Sequence, residues 1–163
     1  MAQEKAKPVP KISIFVRTPA TESTAIPEHI NQDTGFAAPT PVTDGKRVFA
    51  LFANGDLAAF DVFGTPLWCK NLGLPENMYG LASSPILHGE HLLVQLDQED
   101  GADGRRSALL CLDAASGNEV WRTPRDVASS WPTPIPLRLG EATQIVTCAN
   151  PFVIAYDLAD GSE

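Results

Sequence analysis

The densest group of metal-capable side chains in this 163-residue sequence is the run Asp97-Gln-Glu-Asp-Gly-Ala-Asp-Gly-Arg-Arg106, where Asp97, Glu99, Asp100 and Asp103 surround two glycines. Hard cations such as calcium take several carboxylate oxygens on a tight turn. The spacing departs from an Asp-x-Asp-x-Asp-Gly loop, and Arg105 and Arg106 bring positive charge into the same turn. The run is therefore read as a solvated hairpin tip, with calcium as the alternative. His29 stands in the N-terminal segment, while His88 and His91 flank a turn glycine; a zinc site there would need further ligands that the sequence does not place nearby. Cys69, Cys111 and Cys148 lie about 40 residues apart, each inside an apolar run and without Cys-x-x-Cys spacing. They are read as small buried hydrophobes, leaving open a disulfide between two of them or a partner outside the chain. No nucleophile–base pair, phosphate-cradling glycine loop or histidine cluster is visible, so no catalytic, cofactor or metal residues are assigned.

Any binding residues must be held by a scaffold, and composition bounds what that scaffold is. With 44% hydrophobic residues the chain can bury one sizeable core. Fourteen prolines and twelve glycines are spread along it, which suits many short strands joined by turns. The formal charge of -8 repels phosphate backbones and anionic lipid heads, which disfavours nucleic-acid partners. No run reaches the ~18 apolar residues of a membrane helix. The opening Met-Ala-Gln-Glu-Lys-Ala-Lys-Pro lacks the apolar stretch of a secretory signal, so the chain is expected to be soluble and without an address.

Three segments share one plan. Thr40-Pro41-Val42, Ser84-Pro85-Ile86 and Thr133-Pro134-Ile135 each open a strand-like run, with the prolines 44 and 49 residues apart. A glycine turn follows (Asp44-Gly45, His88-Gly89, Leu139-Gly140), then an apolar run: Val48 to Phe52, Leu92 to Leu96, Ile145 to Cys148. A third strand ends on an aspartate in each unit, at Asp61, Asp113 and Asp157, followed by Gly64, Gly117 and Gly161. Trp68 and Trp121 close the first two units; the third reaches Glu163 before its tryptophan would appear. A repeat of this length with four short strands predicts an all-β protein made of β-propeller blades of four antiparallel strands, in place of a generic β-sandwich.

The recurring residues have structural readings. Each aspartate can accept backbone N–H bonds from residues ahead of it, and each glycine can take positive φ, closing a hairpin. The tryptophans, at one place in each outer strand, can wedge against the adjacent blade.

The segment Leu110-Cys-Leu-Asp113-Ala-Ala-Ser-Gly117-Asn-Glu-Val-Trp121 resembles the Ala-x-Asp-x-x-Thr-Gly-x-x-x-Trp docking motif of pyrroloquinoline-quinone (PQQ) repeat propellers. Ser116 stands where threonine is commoner, and the copy Phe60-Asp61-Val-Phe-Gly64-Thr-Pro-Leu-Trp68 is one residue shorter. That quinoprotein-like family, whose short repeats parallel WD-type blades, includes PQQ-dependent alcohol dehydrogenases and non-enzymatic propellers such as the outer-membrane assembly lipoprotein. The resemblance runs from about Gly35 to Glu163 and speaks to fold more than activity. The expected organisation is an N-terminal strand (Lys11 to Val16) and polar linker over 1–34, then blades at about 38–70, 82–123 and 131–163, the last truncated. Three blades make a partial propeller, expected to be a fragment whose open edges favour self-association.

In such blades the second-to-third-strand loop and the blade-to-blade connection share one end. Asn77, Tyr79, Ser129, Ser130 and Trp131 lie in those connections, just before inner strands, and form the candidate ligand face. The leading functional reading is a non-catalytic segment that binds or scaffolds a protein or polymer partner, placed by the resemblance in the periplasm or cell envelope. A piece of a PQQ-dependent dehydrogenase is the alternative. The resemblance would then imply PQQ, calcium, an adjacent cysteine pair and a catalytic aspartate, and the cysteine pair is missing from this sequence.

Overall fold

The computed structural model describes Gly35, residues 37–99 and residues 106–163. The expected strand over Lys11 to Val16, the linker, His29, and Asp100, Asp103 and Arg105 lie outside the described residues. Eleven strands form three antiparallel sheets among the described residues, each ordered as a simple up-and-down meander. The first sheet contains β1 (Val42–Thr43), β2 (Arg47–Leu51), β3 (Asp56–Asp61) and β4 (Pro66–Asn71). The second contains β5 (Ile86–His88), β6 (His91–Leu96), β7 (Ala108–Asp113) and β8 (Glu119–Pro124). The third contains β9 (Ile135–Leu139), β10 (Ala142–Ala149) and β11 (Phe152–Asp157).

The alternation of side chains along a strand explains how the sheets stack. On β6, Leu92, Val94 and Leu96 turn toward the first sheet and meet Phe49, Leu51, Leu57 and Ala59. Leu93 on the opposite face joins Leu109, Cys111, Ile145 and Tyr156 against the third sheet. The middle sheet is thus covered on both faces, which is why β6 and β7 read as nearly continuous apolar runs. The Ser and Thr residues that open each unit are also joined. The Thr40 N–H donates to Ser84 Oγ at 2.8 Å, and the Ser84 N–H donates to Thr133 Oγ1 at 3.1 Å.

The Asp-to-Gly turns receive the preceding sheet's tryptophan. The Trp68 indole N–H donates to the Ala114 carbonyl at 3.1 Å, and the Trp121 indole N–H to the Leu158 carbonyl at 2.9 Å. A Cβ on Gly117 would stand 2.8 Å from the Trp68 ring, and one on Gly161 2.5 Å from the Trp121 ring. Glycine is required there twice over, for its positive φ (71° and 74°) and for the closeness of the indole. Two residues after each tryptophan the strand bonds again to the same turn, Lys70 Nζ to the Gly117 carbonyl and Thr123 Oγ1 to the Gly161 carbonyl. The one-residue difference between motif copies is absorbed inside the turn. The Asp61 N–H reaches the carbonyl of Thr65, four residues on, whereas the Asp113 and Asp157 N–H groups reach Asn118 and Ser162, five residues on.

Two of the three cysteines depart from the expectation of burial. Cys111 is buried, and burial, aided by the Asp113 charge, pushes its thiol up to about 11. Cys69 and Cys148 are exposed, and all three thiols are free. The reason is strand parity. On β4, Trp68 and Lys70 reach the neighbouring turn while Cys69 points the other way; on β10, Ile145, Thr147 and Ala149 face inward and Cys148 outward. An apolar run predicted burial, but which face is covered depends on a neighbouring sheet.

Gly117→Ala should lower stability more than Gly89→Ala. Both introduce a side chain at positive φ, a cost of about 1–2 kcal/mol, but only the former meets an indole, since a Cβ on Gly89 has nothing within 4 Å. Urea midpoints of the two variants check this. The turn carboxylates carry a pH signature. Asp61 is held below the ordinary carboxylate range by the Thr65 N–H first and further backbone donors, and Asp113 by the Ser116 hydroxyl and N–H. Because folding depresses both, the stability they contribute is fully present above about pH 3.9 and is lost as pH falls through their lower folded values. Asp113→Asn should flatten that acid limb of a thermal-midpoint-against-pH profile.

Candidate functional site

The loop end of the second and third sheets is built from three segments that bond to one another. The segment after β6 runs beside the β4–β5 connection: the Glu99 N–H donates to the Glu76 carbonyl at 2.7 Å, and the Glu76 N–H to Gln98 Oε1 at 3.0 Å. Arg106 pairs with Glu76. Ser107 ties the start of β7 to the β8–β9 connection, its carbonyl accepting from the Arg125 N–H and its hydroxyl donating to the Val127 carbonyl, both at 2.8 Å.

Under these loops lies a polar seam. Alternation on β6 places Leu93, Gln95 and Asp97 toward the third sheet, so the apolar contact gives way to polar groups at the strand's end. Asp97 and Arg125 form an ion pair with both side chains fully buried; Nε and Nη2 of Arg125 reach the two carboxylate oxygens at 2.7 and 3.1 Å. This forked geometry is the strong form of the pair. Arg125 Nη1 also donates to the Thr147 hydroxyl at 2.5 Å and the Tyr156 hydroxyl at 3.0 Å, and the guanidinium sits 5.3 Å from the Tyr156 ring centroid. Burial pushes the Tyr156 phenol up, against the pull of Arg125. Asp97 further accepts from Gln95 Nε2 at 2.8 Å and from the Ser130 hydroxyl.

The sequence-predicted face residues divide between this seam and the surface. Tyr79 is 47% and Trp131 36% exposed, and their rings meet at 5.4 Å with a 56° tilt. Trp131 and Ser129 line an open groove whose other wall is Cys148 to Phe152. Asn77 is half-buried and donates from Nδ2 to the Asp97 carbonyl at 3.3 Å. Ser130 differs from the expectation of an open ligand contact: it is buried, donates to Asp97 and to the Cys148 carbonyl, and accepts from Gln95.

Asp97 likewise departs from the acidic-loop reading, because its carboxylate is turned inward onto Arg125. Glu99 is exposed, and the remaining loop carboxylates lie outside the described residues. His88 and His91 oppose each other across β5 and β6. Among the described residues no group of three or more His, Cys, Asp or Glu side chains is placed to hold a metal. The sequence reading missed Gln95, Arg125, Thr147 and Tyr156. A signal was present, in a glutamine and, two residues on, an aspartate that share parity at the end of the apolar run opening at Leu92, but their partner is 28 residues away from Asp97 on another connection.

Removing one member of the buried pair strands the other, at a cost of about 3–5 kcal/mol. Arg125→Met and Asp97→Leu should each lose about that much by urea unfolding, while the double variant should lose distinctly less than the sum.

Comparison with known proteins gives no matching family model and no matching curated protein. Solved structures do match. BamB from Moraxella catarrhalis superposes with a TM-score of 0.54 at 17% identity, over 86% of this chain and 39% of that one. A quinohemoprotein alcohol dehydrogenase from Pseudomonas putida superposes with a TM-score of 0.52 at 14% identity, over 75% of this chain and 25% of the other. A europium-containing methanol dehydrogenase matches over 52% of this chain and 15% of its own, at 21% identity and a TM-score of 0.45. The chain thus spans well under half the length of these structures. What it shares with the first two is fold: it is built as consecutive antiparallel blades of a β-propeller.

Proposed function

We propose that the chain is a non-catalytic stretch of propeller whose loop end, around Tyr79 and Trp131, binds an extended segment of a protein partner in the cell envelope. The observation that carries this reading is the pairing of two exposed aromatic rings beside an open groove with a rigid, hydrogen-bonded seam beneath them. Exposed aromatics held on a fixed base offer large contact area with little ordering cost, the pattern of binding hot spots. The buried charges next to the groove are committed to each other, Asp97 to Arg125, which suits a positioning role better than proton transfer. The envelope assignment rests on the resemblance of the Asp113-to-Trp121 motif to PQQ-repeat propellers. No helix among the described residues is long and apolar enough to cross a membrane.

A library of linear peptides, selected on the purified chain and counter-selected on the Tyr79→Ala/Trp131→Ala double variant, tests the proposal. Enriched peptides should bind the parent chain and lose about thirtyfold in affinity for the variant. No enrichment, equal binding to both chains, or a saturable calcium-dependent quench of tryptophan fluorescence by PQQ would overturn it.

A further inference from the structure

The open groove at the loop end has a lining that narrows what can enter it. Ser129 to Pro132 form one wall and Cys148 to Phe152 the other. No charged side chain stands among these nine residues. Its exposed members include two rings, Trp131 and Phe152, each next to an exposed proline, Pro132 and Pro151. Each wall also carries a side-chain donor, the Trp131 indole N–H and the Asn150 amide. Aromatic-lined grooves of this kind take polyproline II segments, which bring apolar rings, carbonyl acceptors without neighbouring donors and a backbone stiff before it binds.

The sequence holds such a segment outside the described residues, Lys5-Ala-Lys7-Pro8-Val9-Pro10-Lys11, with two prolines one residue apart between lysines. Its charge is opposite to that of the rest of the protein. Over residues 1–17, Lys5, Lys7, Lys11 and Arg17 outnumber Glu4, a net +3 within a chain of -8, so residues 18–163 carry -11. A basic segment is drawn to an acidic body, while an uncharged groove accepts only its uncharged centre. Prolines in the groove and lysines outside it satisfy both conditions.

We infer that Lys7 to Lys11 occupies the groove of its own chain and competes there with the partner's segment. This rests on the peptide-binding reading above and adds its regulation. Reach permits it: Lys11 lies 24 positions before Gly35, an extended span of about 80 Å, against a radius of gyration of about 15 Å for a fold of this length. The test compares the isotope-labelled full chain with its Pro8→Ala/Pro10→Ala variant through the Trp131 indole N–H resonance, then adds acetyl-Lys-Ala-Lys-Pro-Val-Pro-Lys-amide to each. The resonance should differ between the two chains at every protein concentration. The peptide should bind the variant about tenfold more tightly, as when a tethered segment at about 1 mM competes with a dissociation constant of about 0.1 mM. Phe152→Ala, added to the variant, should weaken that binding. Coincident resonances, equal or absent peptide binding, or a difference that fades on dilution and so belongs to a second copy, overturns the inference. The two proposals fail separately. Library-selected peptides that bind parent and proline variant equally would sink this one and leave the binding face standing, whereas a Trp131 resonance governed by Pro8 and Pro10, without any selected peptide, would do the reverse.

Discussion

An indole seated on the glycine of the next sheet's turn is the contact on which the rest of this molecule depends. A four-stranded blade has two faces to cover and cannot cover them alone. Trp68 and Trp121 reach across, each donating one hydrogen bond to a turn carbonyl and filling the space where a Cβ would otherwise stand. That fixes the separation and tilt of adjacent sheets from the outer side, while the Thr40–Ser84–Thr133 hydrogen bonds fix them from the strands that open each unit. With both rims held, the apolar faces of β6 and β7 pack against the sheets on either side.

The two sheet-to-sheet seams are built differently. The first is apolar along its length, from Phe49 and Leu57 to Leu96 and Ala108. The second begins apolar, with Leu93, Leu109 and Ile145, and ends in Gln95, Asp97, Arg125, Thr147 and Tyr156 beneath the loops. A buried ion pair is weak as a source of stability but demanding in geometry. Its consequence here is positional: Arg125 anchors the start of the β8–β9 connection and Ser130 its later part, so that Ser129 and Trp131 flank a fixed residue at the groove. The candidate face is thus a product of an inter-blade polar contact rather than of the loops' own sequence preferences.

Much of the fold was legible in the residues. Parity along β6, the proline-opened strands and the Asp-to-Gly turns are local features, and local chemistry determined the strand order and the all-β class. The placement of Tyr79 and Trp131 in long connections could also be read, because blade alternation puts those connections at one end. Cys69 and Cys148 show where such reading stops, since an apolar run reveals that a strand has a covered face but not which face a neighbour will cover.

By itself, then, the sequence determined the repeat, the turn chemistry and the strands, all of which act over a few residues. Tertiary structure alone decided that Asp97 would meet Arg125 instead of solvent, that Ser130 would be buried while Ser129 kept an unmatched hydroxyl, and that Tyr79 would meet Trp131. These pairings join residues 28 to 52 positions apart on different connections. They form only when two blades have docked, because a lone Asp, Arg or Ser gains more from water than from any partner within its own blade.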